Sequence, residues 1–408
     1  MKTSFKVLSI AAMVLFAAAN AFATNGMRMI GFGPVQRSMG GIGVATTLDA
    51  ASIITNPAGI ADLKGRIDFG ASYFSPTVKH KASGPMPGIM AKDGKTVESD
   101  AGASPVPAFG LVIPLTEKLH FGIGAYGVSG MGVDYEKNVY QSILKTMYSQ
   151  MRFAPGLSYK INDMISVGAV ANIMYATMEF SAATNFSSTG MGMPDQEEHM
   201  NSAAFGYGAT IAINIKPVDM LTIGVAYETK SNFKDFEFNT DQGKDKLEFD
   251  QPQSVTAGVS VTPLKDLTVA FEVQWIEWSE TNGKNKPEFS KNSSNATPWN
   301  MNWDNQMVYK IGAQYAINPM FTVRAGFNYG KMPLDEDRAF ENVAFPAIAE
   351  YHYTAGIGIT FDNNLTLNIG GMYSPEAKID GANMSQAFAH YETKMSQYSL
   401  DMGIAYVF

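Results

Sequence analysis

The feature that most constrains this chain is a two-residue alternation of apolar and polar side chains that recurs from about residue 66 to the last residue. In MFTVRAGFNYG, Phe321, Val323, Ala325, Phe327 and Tyr329 alternate with Thr322, Arg324, Gly326 and Asn328. EYHYTAGIGITF, LTVAFEVQW and LTIGVAY repeat the pattern, and a period of two belongs to strands with one greasy and one wet face. About fourteen such runs lie near residues 66–79, 104–114, 119–130, 150–161, 164–180, 201–215, 219–238, 252–262, 266–279, 305–317, 319–331, 349–361, 364–378 and 393–408. Tight turns such as IND, KPVD, TPLKD, INP and FDNN alternate with connections of roughly 15–25 residues. An even number of antiparallel strands, with short turns at one end and long loops at the other, is the plan of a transmembrane β-barrel. A β-sandwich also alternates, but requires neither the short/long rhythm nor aromatic residues at both strand ends.

Composition agrees. Aromatic residues make up 12% of the chain, and there is no cysteine, which removes disulfide frameworks, thiolate metal sites and thiol nucleophiles. The formal net charge of −8 argues against a nucleic-acid partner, which needs basic stripes to neutralise phosphates. After residue 23 no apolar run approaches the ~20 residues a spanning helix requires.

The N-terminus reads as an export signal: Lys2 and Lys6, an apolar core from Leu8 to Ala19, then Ala21-Phe22-Ala23 as a cleavage site. The expected units are therefore a cleaved signal at 1–23, a segment at 24–65 and a barrel at 66–408. Residues 24–65 are Gly-rich at first, then carry Leu48, Ala51 and Ile54 at weak helical spacing until Pro57 biases Asn56 out of the helical region. Fourteen strands enclose more room than their own side chains fill, so this segment is expected to fold back into the lumen as a helical hatch.

With Asn56-Pro57-Ala58 after a signal, a glycine-rich third run FGIGAYGVSGMGVDY and a closing strand ending in phenylalanine, the mature chain resembles the FadL family of outer-membrane transporters. The resemblance implies a fourteen-stranded antiparallel barrel with an N-terminal hatch, in the outer membrane of a Gram-negative cell. It also implies uptake of long-chain fatty acids or aromatic hydrocarbons: capture among external loops, a pocket beside the hatch, and lateral exit where the third strand kinks at Gly127, Gly130 and Gly132. The implied partners are a hydrophobic small molecule, outer-membrane lipid and lipopolysaccharide, and the barrel-assembly machinery; no cofactor is implied. The terminal Phe408, with Tyr406 two residues before it, resembles the signature by which such barrels are recognised for insertion.

Candidate substrate contacts are Val139, Ile143, Leu144 and Met147, which share one side if EKNVYQSILKTMYSQ is helical, and the flexible Met191 and Met193. Arg152, Lys160, Lys310 and Arg324 face the lumen by parity, where each could meet a carboxylate or pair with the chain's own acids. Asp304 stands where fatty-acid members tend to place a basic residue, a departure that favours a neutral or aromatic substrate. His199 beside Glu197 and Glu198 lacks a second cluster to complete a metal shell. No G-x-S-x-G elbow or Ser-His-acid spacing supports the alternative of an outer-membrane hydrolase, and a hatch would be pointless in a general diffusion porin.

Overall fold

The computed structural model describes residues 25–83, 94–135, 144–183, 197–240, 243–290, 297–361, 364–382 and 390–408. Fourteen antiparallel strands form the barrel: β1 (Arg66–Ser83), β2 (Ser104–Pro114), β3 (Leu119–Asp134), β4 (Leu144–Lys160), β5 (Ile165–Ala183), β6 (Glu197–Val218) and β7 (Leu221–Glu228), then β8 (Ser254–Leu264), β9 (Leu267–Ile276), β10 (Gln306–Ala316), β11 (Phe321–Gly330), β12 (Tyr351–Phe361), β13 (Leu365–Ala382) and β14 (His390–Val407). Each strand pairs with its sequence neighbours, and β1 pairs with both β2 and β14, so the sheet closes on itself. Pairing the first strand with the last leaves the sheet without an open edge strand, which hydrocarbon does not tolerate. The alternation is visible in exposure: Tyr398, Leu400, Met402, Ile404 and Tyr406 of β14 face outward, while Gln397, Ser399 and Asp401 are buried inside.

Two expected elements differ. The run at 219–238 ends at Glu228; Asn232–Phe233 pairs with β6, and Phe236–Thr240 joins Gly243–Leu247, Glu288–Ser290 and Thr297–Pro298 in a separate small sheet. From residue 144 on, among the described residues, the expected helix is not formed: Leu144 and Met147 belong to β4, where Leu144 pairs with Ala182 of β5 and Met147 with Gly132 of β3 and Glu179 of β5. Two complete ladders outweigh a local helical spacing.

Residues 25–64 precede β1 and are almost wholly buried. They hold α1 (Gly33–Ser38), α2 (Ser52–Thr55) and a 3-10 turn at Pro57–Asp62. The expected helix near Leu48–Ile54 is thus only four residues long, while α1 arises from the stretch read as merely glycine-rich. The segment packs against inward glycines around the barrel. A Cβ at Gly326 of β11 would fall 2.1 Å from the Met39 carbonyl carbon, at Gly224 of β7 2.3 Å from Val44 O, and at Gly168 of β5 2.4 Å from Ala58 N. Here glycine serves for close approach of one backbone to another.

Candidate lumen cavity and wall parting

Asn56 links the segment to the wall. It is fully buried, caps the 3-10 turn by accepting the Ala58 N–H at 3.0 Å, and donates from Nδ2 to Val44 O and to Asn214 Oδ1 of β6. Pro57 opens the turn, where its missing N–H is not needed. Ala58 follows, its carbonyl accepting from Ser158 Oγ of β4 at 2.9 Å.

A polar and apolar cavity lies between the segment and the wall. Met29, Ile30, Phe32 and Val128 form an apolar part of its lining, and Arg28, Arg152, Glu228, Glu272 and Lys310 a charged part. Arg28 Nη2 and Arg152 Nη2 share Glu228 Oε1 at 3.1 and 2.5 Å. Arg28 also donates to Pro252 O at 2.6 Å and Ser254 Oγ at 3.1 Å. Glu272 of β9 turns Oε1 to three successive backbone amides, Gly43, Val44 and Ala45, at 2.9, 2.5 and 3.1 Å, a nest for a carboxylate. Its other oxygen stands 4.0 Å from Lys310 Nζ, which donates to Gly41 O at 3.3 Å. Three cations thus meet two carboxylates, and Arg152 Nε and Nη1 have no hydrogen-bond partner among the described residues.

Of the lumen cations read from the sequence, Arg152 and Lys310 meet in this cavity. Arg324 lies outside its lining, donating to Gln314 Oε1 and Asn368 Oδ1, and Lys160 pairs with Asp62 at 3.1 Å. Asp304 is also outside: its N–H donates to Pro333 O, so the departure at that position does not touch the cavity. Sequence reasoning missed Arg28, Glu228 and Glu272. The available signal for Glu272 was its pairing directly opposite Lys310 across β9 and β10.

At one edge of the cavity the wall parts. β2 pairs with β3 only as far as Ala108↔Tyr126, although β1 stays paired with β2 to Phe74↔Ser104. Beyond Tyr126, β3 keeps β4 as a partner through a bulge between Gly127 and Ser129. Its other edge is taken by the N-terminal segment: Met29 N–H donates to Val128 O at 3.0 Å, and Gly130 N–H to Met27 O at 3.1 Å. The displacement is inward. Gly127 shares parity with the outward residues of β3, yet a Cβ there would lie 2.6 Å from Val106 Cγ1, a side chain buried on the lumen face of β2. From Tyr126 to Val133 every residue of β3 is buried, so the alternation ends where the strand leaves the lipid face. Gly132 lies against β4, where a Cβ would fall 2.3 Å from Thr146 O.

On the loop side, the lumen is filled by an apolar cluster that includes Tyr148, Phe236, Phe249, Trp278, Trp303 and Phe345. Phe249 stacks edge-on to Tyr148 at 5.0 Å, and Thr146 Oγ donates to Ala344 O at 2.6 Å, tying the 331–350 loop to β4. Met147 packs with the Phe74, Val106 and Met372 cluster. Val139, Ile143, Met191 and Met193 lie outside the described residues, as does the side chain of Leu144.

Residues 10–408 match the model of the family described as outer membrane protein transport protein (OMPP1/FadL/TodX). Among solved structures, the Pseudomonas putida toluene transporter TodX superposes with TM-score 0.75 at 18% identity, over 94% of this chain and 100% of that one. A Pseudomonas aeruginosa FadL homologue gives 0.73 at 16% over 94% and 100%, and the Ralstonia pickettii toluene transporter TbuX 0.67 at 19% over 93% and 99%. At these identities the likeness shows the fold. A Chlorobium limicola protein, named for its place in the phosphoenolpyruvate carboxykinase gene 5' region, is 34% identical over 96 residues; the match spans 23% of this chain and 42% of that relative.

Proposed function

Because the chain belongs to the outer-membrane transport family OMPP1/FadL/TodX, we propose that this multi-pass barrel takes up hydrophobic molecules by loop capture. They pass into the cavity beside the N-terminal segment and leave sideways through the parting of β2 and β3. One observation carries the reading: the outward side of Gly127 lies behind the lumen-facing Val106, with Val128 and Ser129 bordering the cavity. A passage there delivers an apolar molecule into the bilayer without crossing the lumen below. The glycine contacts argue against the other route, since the hatch backbone meets the wall with no clearance at Gly168, Gly224 and Gly326.

The chain has no cysteine, so Val106→Cys with Gly127→Cys makes a clean test. Oxidation should tie β2 to β3 and stop uptake of radiolabelled oleate or toluene, and reductant should restore it. Uptake that persists with the disulfide formed would exclude the lateral route.

Within this reading, the cavity favours a substrate with an anionic end. Two nitrogens of buried Arg152 lack partners among the described residues. A carboxylate there would gain charge-assisted hydrogen bonds while its chain lies on Met29, Ile30 and Val128. Arg152→Leu should weaken oleate binding at least tenfold and leave toluene binding unchanged; equal effects on both would remove the carboxylate reading.

A further inference from the structure

The wall parts at a position that the register of β2 explains. At the β2–β3 turn Leu115 N–H donates to Leu119 O at 2.8 Å. Alternate residues of an antiparallel strand turn their backbone groups to opposite neighbours. Odd-numbered residues of β2 therefore face β3, and even-numbered ones face β1. The ladder runs in one register from Pro114↔His120 to Ala108↔Tyr126. Continued by one step, it would set residue 107 opposite Gly127 as the next bonded pair, and residue 105 opposite Ser129. Both positions are proline. The even-numbered Val106 and Ser104 have amides, and they remain paired with β1 at Ser72 and Phe74.

We propose that Pro105 and Pro107 are the positioning residues that keep the wall unzipped. Proline cannot donate to a ladder and is tolerated in sheets where its nitrogen faces no partner strand. A closed wall would leave the carbonyls of Gly127 and Ser129 facing two nitrogens without hydrogens. The inward path offers β3 a better partner, because Met29 has the N–H that Val128 O accepts and Met27 O receives Gly130 N–H. The bulge at Val128 makes the exchange possible by reversing which residues point away from β4. Two edges thus compete for β3: one that cannot donate, on β2, and one that can, at residues 27–29. The role of this competition in transport rests on the lateral route proposed above; the backbone preference itself does not.

The test compares wild type with Pro105→Val/Pro107→Val, which restores both donors, using amide exchange on the purified full-length barrel in nanodiscs and uptake of radiolabelled oleate in cells. Exchange in residues 104–108 and 127–133 should slow at least tenfold, and uptake should fall at least tenfold. Unchanged exchange would overturn the proposal whatever happens to uptake. Slowed exchange with normal uptake would support the proline role and overturn the lateral route. Should the double variant fail to assemble, Met29→Pro in the wild-type background decides the matter. Removing the donor to Val128 O should speed exchange across residues 128–132 at least tenfold, and no change there would show that the segment is not the competing partner.

Discussion

Glu272 is the position where the docking of the N-terminal segment can be measured. Its Oε1 accepts three main-chain amides between 2.5 and 3.1 Å, in a fully buried site whose other face holds Lys310. A hydrogen bond to a charged group contributes about 1.5–3 kcal/mol and a neutral one about 0.5–1.5. Glu272→Gln keeps an acceptor oxygen but loses the charge, so each of the three contacts should weaken by ~1 kcal/mol, for ~3 kcal/mol in all. At 1.4 kcal/mol per tenfold, local opening of the segment should become on the order of 100-fold more frequent. Amide exchange read over residues 39–56 should show this, while the heat-modifiable migration of the barrel stays as in wild type, since no strand pairing involves that side chain. Adding Lys310→Met should recover part of the loss, because the lysine no longer needs its counter-charge. Exchange of residues 43–45 within threefold of wild type would refute the nest as the anchor.

The remaining expectations concern the same segment. Asn56→Ala removes a cap and strands Val44 O and Asn214 Oδ1, so uptake should drop further than the amount of barrel in the outer membrane; equal losses would mark the motif as purely structural. Burial and the neighbouring Asp68 carboxylate push the Asp49 carboxyl up to about 7, against the pull of Arg66 and Arg324. The folded value lies above the ordinary 3.8, so the stabilisation is complete below about pH 4 and is lost as pH rises through 7. At 1.4 kcal/mol per unit this is at most ~4 kcal/mol. Exchange at residues 49–55, corrected for the intrinsic rate, should quicken from pH 5 to 8 in wild type and stay level in Asp49→Asn. Gly326→Val meets Met39 and Gly40 main chain, and should make residues 38–41 susceptible to protease; a segment as resistant as wild type would show that the wall has clearance.

What was legible in the sequence follows from what each face touches. β11, β12 and β14 announce themselves because one side meets lipid and the other a wet lumen, which writes a period of two. β3 beyond Tyr126 and the start of β4 do not: Gly127 is tucked behind β2, and Met147 packs with Phe74 and Val106. Residues there answer to protein on both sides, and four apolar positions at helical spacing misled the reading of Leu144 and Met147. The cavity was half legible. Parity put Arg152 and Lys310 in the lumen, but Arg28 sits in a segment with no periodicity, and the Glu272 nest depends on three main-chain amides, which leave no side-chain trace. The 331–350 loop was equally hidden, since its tie to β4 runs from the Thr146 hydroxyl to a main-chain carbonyl, Ala344 O.

The glycine contacts also constrain how such a molecule can be built. The wall approaches the main chain of residues 25–64 so closely that a single added methyl at Gly224 or Gly326 has no room. A finished cylinder offers no way in for a segment that bears α1, the Glu272 nest and the strand pairing to β3. The seam between β1 and β14 joins the first strand of the cylinder to the last one synthesised. Residues 25–64 must therefore already lie in place when that seam shuts, so the barrel is wrapped around its contents, as a cast is poured around a core.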